Sequence, residues 1–139
     1  MATFNKTNQF VEDIGKGVHV FGTHQLKVAL TNTAPTASNA TYSALTSPLA
    51  TTNLSGANPF NVTTTSYSQT SGTASLVLVD LVLTATGAVG PFRYVALYND
   101  TPTSPADPLI GWYDYGSSVT MAAAETFTID FAATTITLV

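Results

Sequence analysis

Few side chains here can do ionic or acid–base chemistry. The chain has four basic residues, Lys6, Lys16, Lys27 and Arg93, and two histidines, His19 and His24. Arg93 has the least expected position, between Phe92 and Tyr94 in the stretch GPFRYVALYND, residues 90–100. A guanidinium grips a carboxylate through two parallel N–H···O bonds, so it can bind an anion, stabilise a developing charge or clamp two pieces of structure. Strand alternation puts Phe92, Tyr94, Ala96 and Tyr98 on one face and Arg93, Val95, Leu97 and Asn99 on the other. Both faces are mostly apolar, which predicts a sandwiched strand with the Arg93 stem along Val95 and its head at the rim. Asp80, Asp114 and Asp130 on neighbouring strands are candidate partners for a structural ion pair, as is a residue of another subunit.

The remaining constellations point away from catalysis. His19 and His24 are five apart, off any shared strand face and without a third ligand nearby, which reads as surface or rim histidines rather than a metal site. Asn99, Asp100 and Asp107 could offer oxygens to calcium, but their spacing fits no EF-hand, and Pro102, Pro105 and Pro108 account for the segment as a stiff turn. Trp112, Tyr113 and Tyr115 surround Asp114 in GWYDYG, a composition that could stack a sugar. The strand period divides them, Trp112 with Asp114 and Tyr113 with Tyr115, so packing is the better reading. No strand–elbow–helix context, close carboxylate pair or Gly-rich phosphate loop is present in the sequence. The expectation is a non-enzymatic protein with no catalytic, cofactor or metal residues.

Composition narrows the class. The 139 residues suit one domain with a full core, and there is no cysteine, hence no disulfide or thiolate chemistry. Charged residues make up 9% of the chain, against about 25% in an ordinary domain. With a net charge of −4, a basic groove for nucleic acid is not expected. Thr, Ser, Ala and Asn occupy the places charges usually take, a surface suited to life inside an assembly. The first residues, MATFNKTNQFVEDIGKG, do not read as a signal peptide, and LVLVDLVL (residues 76–83) is too short to span a bilayer. No membrane partner is expected.

The elements that must position these residues are mostly strands. Residues 1–17 hold the one helical pattern, with Phe10, Val11 and Ile14 on one side and Gly15 and Gly17 as stops, and form an N-terminal arm or short helix. Residues 18–139 form the single β domain. VHVFG (18–22) reads as a short strand, and HQLKVALT (24–31) alternates Leu26, Val28 and Leu30 against Gln25, Lys27 and Ala29. Residues 40–59 predict a helical turn near Tyr42–Leu45 and then an exposed loop. FNVTTTSYS (60–68) follows, then ASLVLVDLVLTA (74–85) as one central strand, GPFRYVALYND, PLIGWYDYG (108–116), SSVTM (117–121), ETFTIDFA (125–132) with Phe127, Ile129 and Phe131 inward, and TITLV (135–139). The pattern predicts an all-β protein: an antiparallel β-sandwich, jelly-roll-like, of about eight strands. Phe4 and Phe10 of the arm, with Tyr42, Leu45, Leu49 and Leu54 of the loop, are the expected partner contacts.

The phrases FNKTNQFVEDIGKGVH, LKVALTNTAP, GPFRYVALYNDT, DPLIGWYDYGSSVT and ETFTIDF resemble a family of small structural proteins encoded in the virion gene clusters of tailed bacteriophages. The resemblance covers most of the chain and is weakest over residues 40–75. It implies a virion component. Proteins of this kind serve as capsid decoration, or cement, proteins or sit in the tail and its fibres. A single small domain without repeats or a long coiled coil favours cement over a fibre shaft. The expectation is a homo-oligomer, dimer or trimer, on the capsid surface, made in the host bacterial cytoplasm and bound to the major capsid protein. A tail or tail-fibre protein is the alternative, and a carbohydrate-binding host-attachment module a more distant one.

Overall fold

The fold is described from a computed structural model, covering residues 2–132 and 134–138. It is all-β and sandwich-like, with antiparallel sheets and one short α-helix. Ten strands form among the described residues. They are β1 (Thr3–Lys6), β2 (Leu26–Thr31), β3 (Asn61–Val62), β4 (Thr64–Thr70), β5 (Thr73–Leu78), β6 (Leu81–Thr84), β7 (Val89–Asn99), β8 (Leu109–Met121), β9 (Thr126–Ile129) and β10 (Ile136–Leu138). A five-stranded sheet runs β1-β8-β7-β2-β3; a three-stranded sheet runs β10-β5-β4; β6 and β9 pair separately. Val139, the end of the expected last strand, lies outside the described residues.

One core joins all three sheets. Leu26, Val28 and Leu30 of β2 and Val95 and Leu97 of β7 face Leu76 and Leu78 of β5, Leu83 of β6 and Ile129 of β9 within a single buried cluster. Each such side chain, fully buried, contributes about 1.5–3 kcal/mol. The register Val28↔Leu97 and Leu30↔Val95 aligns the expected alternation of β2 and β7. A second, smaller cluster lies on the opposite face of the five-stranded sheet: Ala29, Ala96, Tyr98 and Leu109 beneath Leu45, with Tyr42 and Trp112 against it. The segment carrying Tyr42 and Leu45 is pinned there by Tyr42 N–H to Asp107 C=O (2.9 Å), Thr31 Oγ1 to Thr46 C=O (2.6 Å) and Leu49 N–H to Leu30 C=O (2.8 Å). β7 is therefore central, flanked by two strands and covered on both faces.

The N-terminal residues pack on the body of the domain, and the short helix expected there forms after a first strand. β1 pairs antiparallel with β8, Phe4 opposite Tyr113 and Lys6 opposite Gly111. A Cβ at Gly111 would fall on the Asn5 carbonyl oxygen and the Phe4 ring, so only glycine allows this approach. Helix α1 (Asn8–Gly15) follows and buries Phe10, Asp13 and part of Ile14. Val11, expected on that face, is exposed, because one residue past Phe10 turns it about 100° away.

Four further expectations change. Residues 18–22 keep strand alternation, burying His19 and Phe21 and exposing Val20, but join no ladder. The apolar run 74–85 is two strands in two sheets. It breaks at Val79–Asp80, where Asp80 Oδ1 accepts the Phe131 N–H (2.9 Å) and Val79 is exposed. PLIGWYDYG and SSVTM fuse into the thirteen-residue β8. Phe92 sits on the Val95 and Leu97 side, not with Tyr94 and Ala96, because the β7–β8 register shifts between Phe92↔Val119 and Tyr94↔Asp114.

Candidate interaction surface

Arg93 meets Asp114 at the point where that register shifts. Its Nε donates to Oδ1 at 2.8 Å and its Nη2 to Oδ2 at 3.1 Å, the two-bond fork that a guanidinium favours. The Gly116 N–H also donates to Oδ1, at 2.8 Å, so the carboxylate ties the extra β8 residues 115–118 back onto the ladder. Hydrogen bonding from Arg93, followed by that from Gly116, holds the Asp114 carboxyl below its ordinary range. The two side chains are 38% and 36% exposed, and the guanidinium lies 5.3 Å from the Tyr94 ring centre. This is a rim clamp between adjacent strands. Of the other candidate partners, Asp80 caps the Phe131 amide and Asp130 is exposed.

The histidines converge, against expectation. Asn99, at the end of β7, is fully buried, and its Nδ2 donates to Nδ1 of both His19 (3.1 Å) and His24 (2.9 Å). Both rings thus carry their proton on Nε2 when neutral. Burial pushes the His19 pKa down to about 4, with Asp13 opposing the shift. His19 is a core residue rather than a rim one, because Phe10 and Phe21 pack their rings at 5.3 and 5.5 Å from it. The cluster fastens the 18–24 segment to the five-stranded sheet. Asn99, Asp100 and Asp107 are engaged separately: Asn99 by the histidines, Asp100 by Lys27 at 3.2 Å, with Asp107 in a strained turn at φ 49. No group of three metal-ligating side chains occurs among the described residues.

The aromatic cluster divides as its period predicts. Tyr113 is in the main core, 5.1 Å from Phe4 and 6.0 Å from Phe131, and Tyr115 packs on Phe127 at 5.1 Å. Trp112 lies against the second cluster, on the other face. Burial raises the pKa of both tyrosines.

Of the expected partner contacts, Phe10, Leu45 and Leu54 are buried. Phe4 packs on Tyr113, Tyr42 on Tyr98 (4.9 Å), and Leu49 on the main core, each half-buried. Apolar residues in a polar loop are its anchors: burying them holds the loop down, and exposing them would forfeit that energy. The large apolar side chains left in solvent are instead Val11, Val20, Tyr67, Val79 and Val82.

Tyr67, its ring edge-on to Phe21 at 5.2 Å, lies on the most exposed strand. β4 is an edge strand, and six of its seven residues, Thr65–Thr70, are exposed. Its hairpin with β5 turns at Ser71 and Gly72, with φ 50 and 84, the two positive values a tight type I′ turn requires. No charged residue occurs from Val28 to Val79. That gap in charge, and the lack of apolar period after Val62, were the sequence signals for this surface. Comparison with protein-family models, curated proteins and solved structures finds no match to this chain.

Proposed function

We propose that this chain is a non-enzymatic structural protein of a tailed-phage virion that decorates and stabilises the capsid shell, bound to the major capsid protein. The observation that carries the reading is a charge-poor, Thr- and Ser-rich surface that culminates in the exposed, uncharged β4–β5 hairpin, on a fold whose Arg93, His19 and His24 are spent on intrachain clamps. Such a surface presents hydrogen-bonding groups without the charges that keep free monomers apart. Repeated over many copies, modest contacts of this kind strengthen a shell through avidity. The sequence resemblance to virion proteins supports the same class.

Cryo-electron microscopy of the particle that carries this chain tests the reading. The expected result is density on the capsid exterior contacting the major capsid protein. Density confined to the tail would replace it with the tail-protein alternative. A saturable glycan-array signal lost in Trp112→Ala would replace it with a carbohydrate-binding role.

A further inference from the structure

We infer that β4 is a self-association edge, on which a second copy of this chain adds its own β4 antiparallel across a two-fold axis. The inference deepens the assembly reading above and rests on it only for the role the dimer serves; the pairing itself is argued from the strand.

The hairpin geometry says which groups are free. Thr70 and Thr73 close the two-residue turn and are therefore a hydrogen-bonded pair, as are Ser68 and Ser75 by alternation. The N–H and C=O groups of Tyr67 and Gln69 accordingly point away from β5, and among the described residues no strand lies on that side. A row of unpaired backbone groups is a template for another strand, and proteins usually block it with lysine, proline or a cover. β4 has neither lysine nor proline, its one irregularity lies at Thr64/Ser66, and Thr65–Thr70 are exposed, with the Tyr67 ring edge-on to Phe21 at 5.2 Å.

A second copy fits this edge for two reasons. The molecule carries a net charge of −4, so like copies repel wherever carboxylates meet, and the hairpin lies within the charge-free stretch. The strand TTSYSQT is also self-complementary when reversed about Tyr67. That register sets Tyr67 against Tyr67, Ser66 against Ser68 and Thr65 against Gln69, an aromatic pair flanked by hydroxyl and amide pairs. It brings the outward groups of Tyr67 onto those of Tyr67 in the second copy, as a two-fold contact requires, and sets those of Gln69 opposite Thr65, beside the irregularity at Thr64/Ser66.

Sedimentation of the purified full chain, from micromolar to millimolar concentration, tests this. The wild type is expected to form dimers. Gln69→Pro, which removes one outward N–H, and Gln69→Lys, which keeps the amide but adds a gatekeeper charge, are each expected to weaken dimerisation by at least ~10-fold. If Gln69→Pro alters the melting temperature, Gln69→Lys decides. Tyr67→Cys, the sole cysteine in its chain, is expected to give a disulfide-linked dimer on oxidation. A wild type that stays monomeric throughout, or dimers unaffected by Gln69→Lys, overturns the inference. Neither result bears on where the protein sits on the particle, and a tail location would leave the dimer edge intact.

Discussion

β7 and β4 are both extended strands in antiparallel ladders, yet different forces hold them. β7 has β8 on one side and β2 on the other, with Phe92, Val95 and Leu97 in the main core and Ala96 and Tyr98 in the second cluster. Among the described residues β4 has one neighbouring strand, β5, and little packing beyond the Tyr67 ring against Phe21, so it is set mainly by a single ladder and the Ser71–Gly72 turn. Strand preference is a preference for a packed, pleated surface more than an intrinsic backbone property. A Thr- and Ser-rich segment without such a surface persists as a strand because its partner and turn fix it, and it keeps its outer edge available. The packed strand and the open-edged strand thus lie in different sheets of the molecule.

That contrast predicts graded responses. The largest belongs to β7. Phe92→Ala removes a fully buried ring that meets Phe127 edge-on at 5.1 Å, and should cost about 3–5 kcal/mol in urea or thermal unfolding. A loss near zero would show that β7 is no better sealed than β4.

His19 comes next, through pH. Its folded pKa, about 4, lies below its ordinary value of 6.5, so between these the unfolded chain takes up a proton that the folded chain refuses. The neutral ring's contribution is complete above pH 6.5 and is lost as pH falls toward 4. That contribution is on the order of 2–3 kcal/mol. His19→Gln should flatten that part of the stability profile, and an unchanged slope in chemical denaturation across this range would remove His19 as its source.

Arg93→Ala should lower the melting temperature of the isolated domain by less than Phe92→Ala does. Because Arg93 depresses the Asp114 pKa, the pair's contribution is present above the ordinary carboxylate value of 3.8 and disappears as pH drops below it. Wild-type and variant melting curves should converge in acid. Unchanged stability coupled with weakened particle binding would instead make Arg93 a contact residue.

The smallest effect belongs to β4. Ser68→Ala, on an exposed face, should change stability by under ~0.5 kcal/mol. A cost approaching that of Phe92→Ala would mean that β4 is buried by contacts within its own subunit, and the contrast between the two strands would collapse.

Much of the scaffold was legible because apolar alternation survives folding unchanged. Leu26, Val28 and Leu30, the inward set Phe127 and Ile129 of β9 with Phe131 just beyond it, and the central place of β7 all follow from it. The candidate surface was less legible. Phe4, Phe10, Tyr42, Leu45, Leu49 and Leu54 stood out as apolar residues in polar or terminal segments, but the same hydrophobicity that makes a residue conspicuous also draws it into the core.

By itself the sequence determined the all-β class, the scarcity of charge and the need for Arg93 to find a carboxylate, since these follow from composition and a period of two. The tertiary structure decided which carboxylate, because the β7–β8 register places Asp114, and not Asp80 or Asp130, within reach. It also brought His19 and His24 together on Asn99 and split 74–85 between two sheets. These outcomes depend on residues far apart in the chain meeting at one place, which no local pattern records. The same holds for β4: its polarity is written in the sequence, but only the packing of every other strand leaves its edge uncovered.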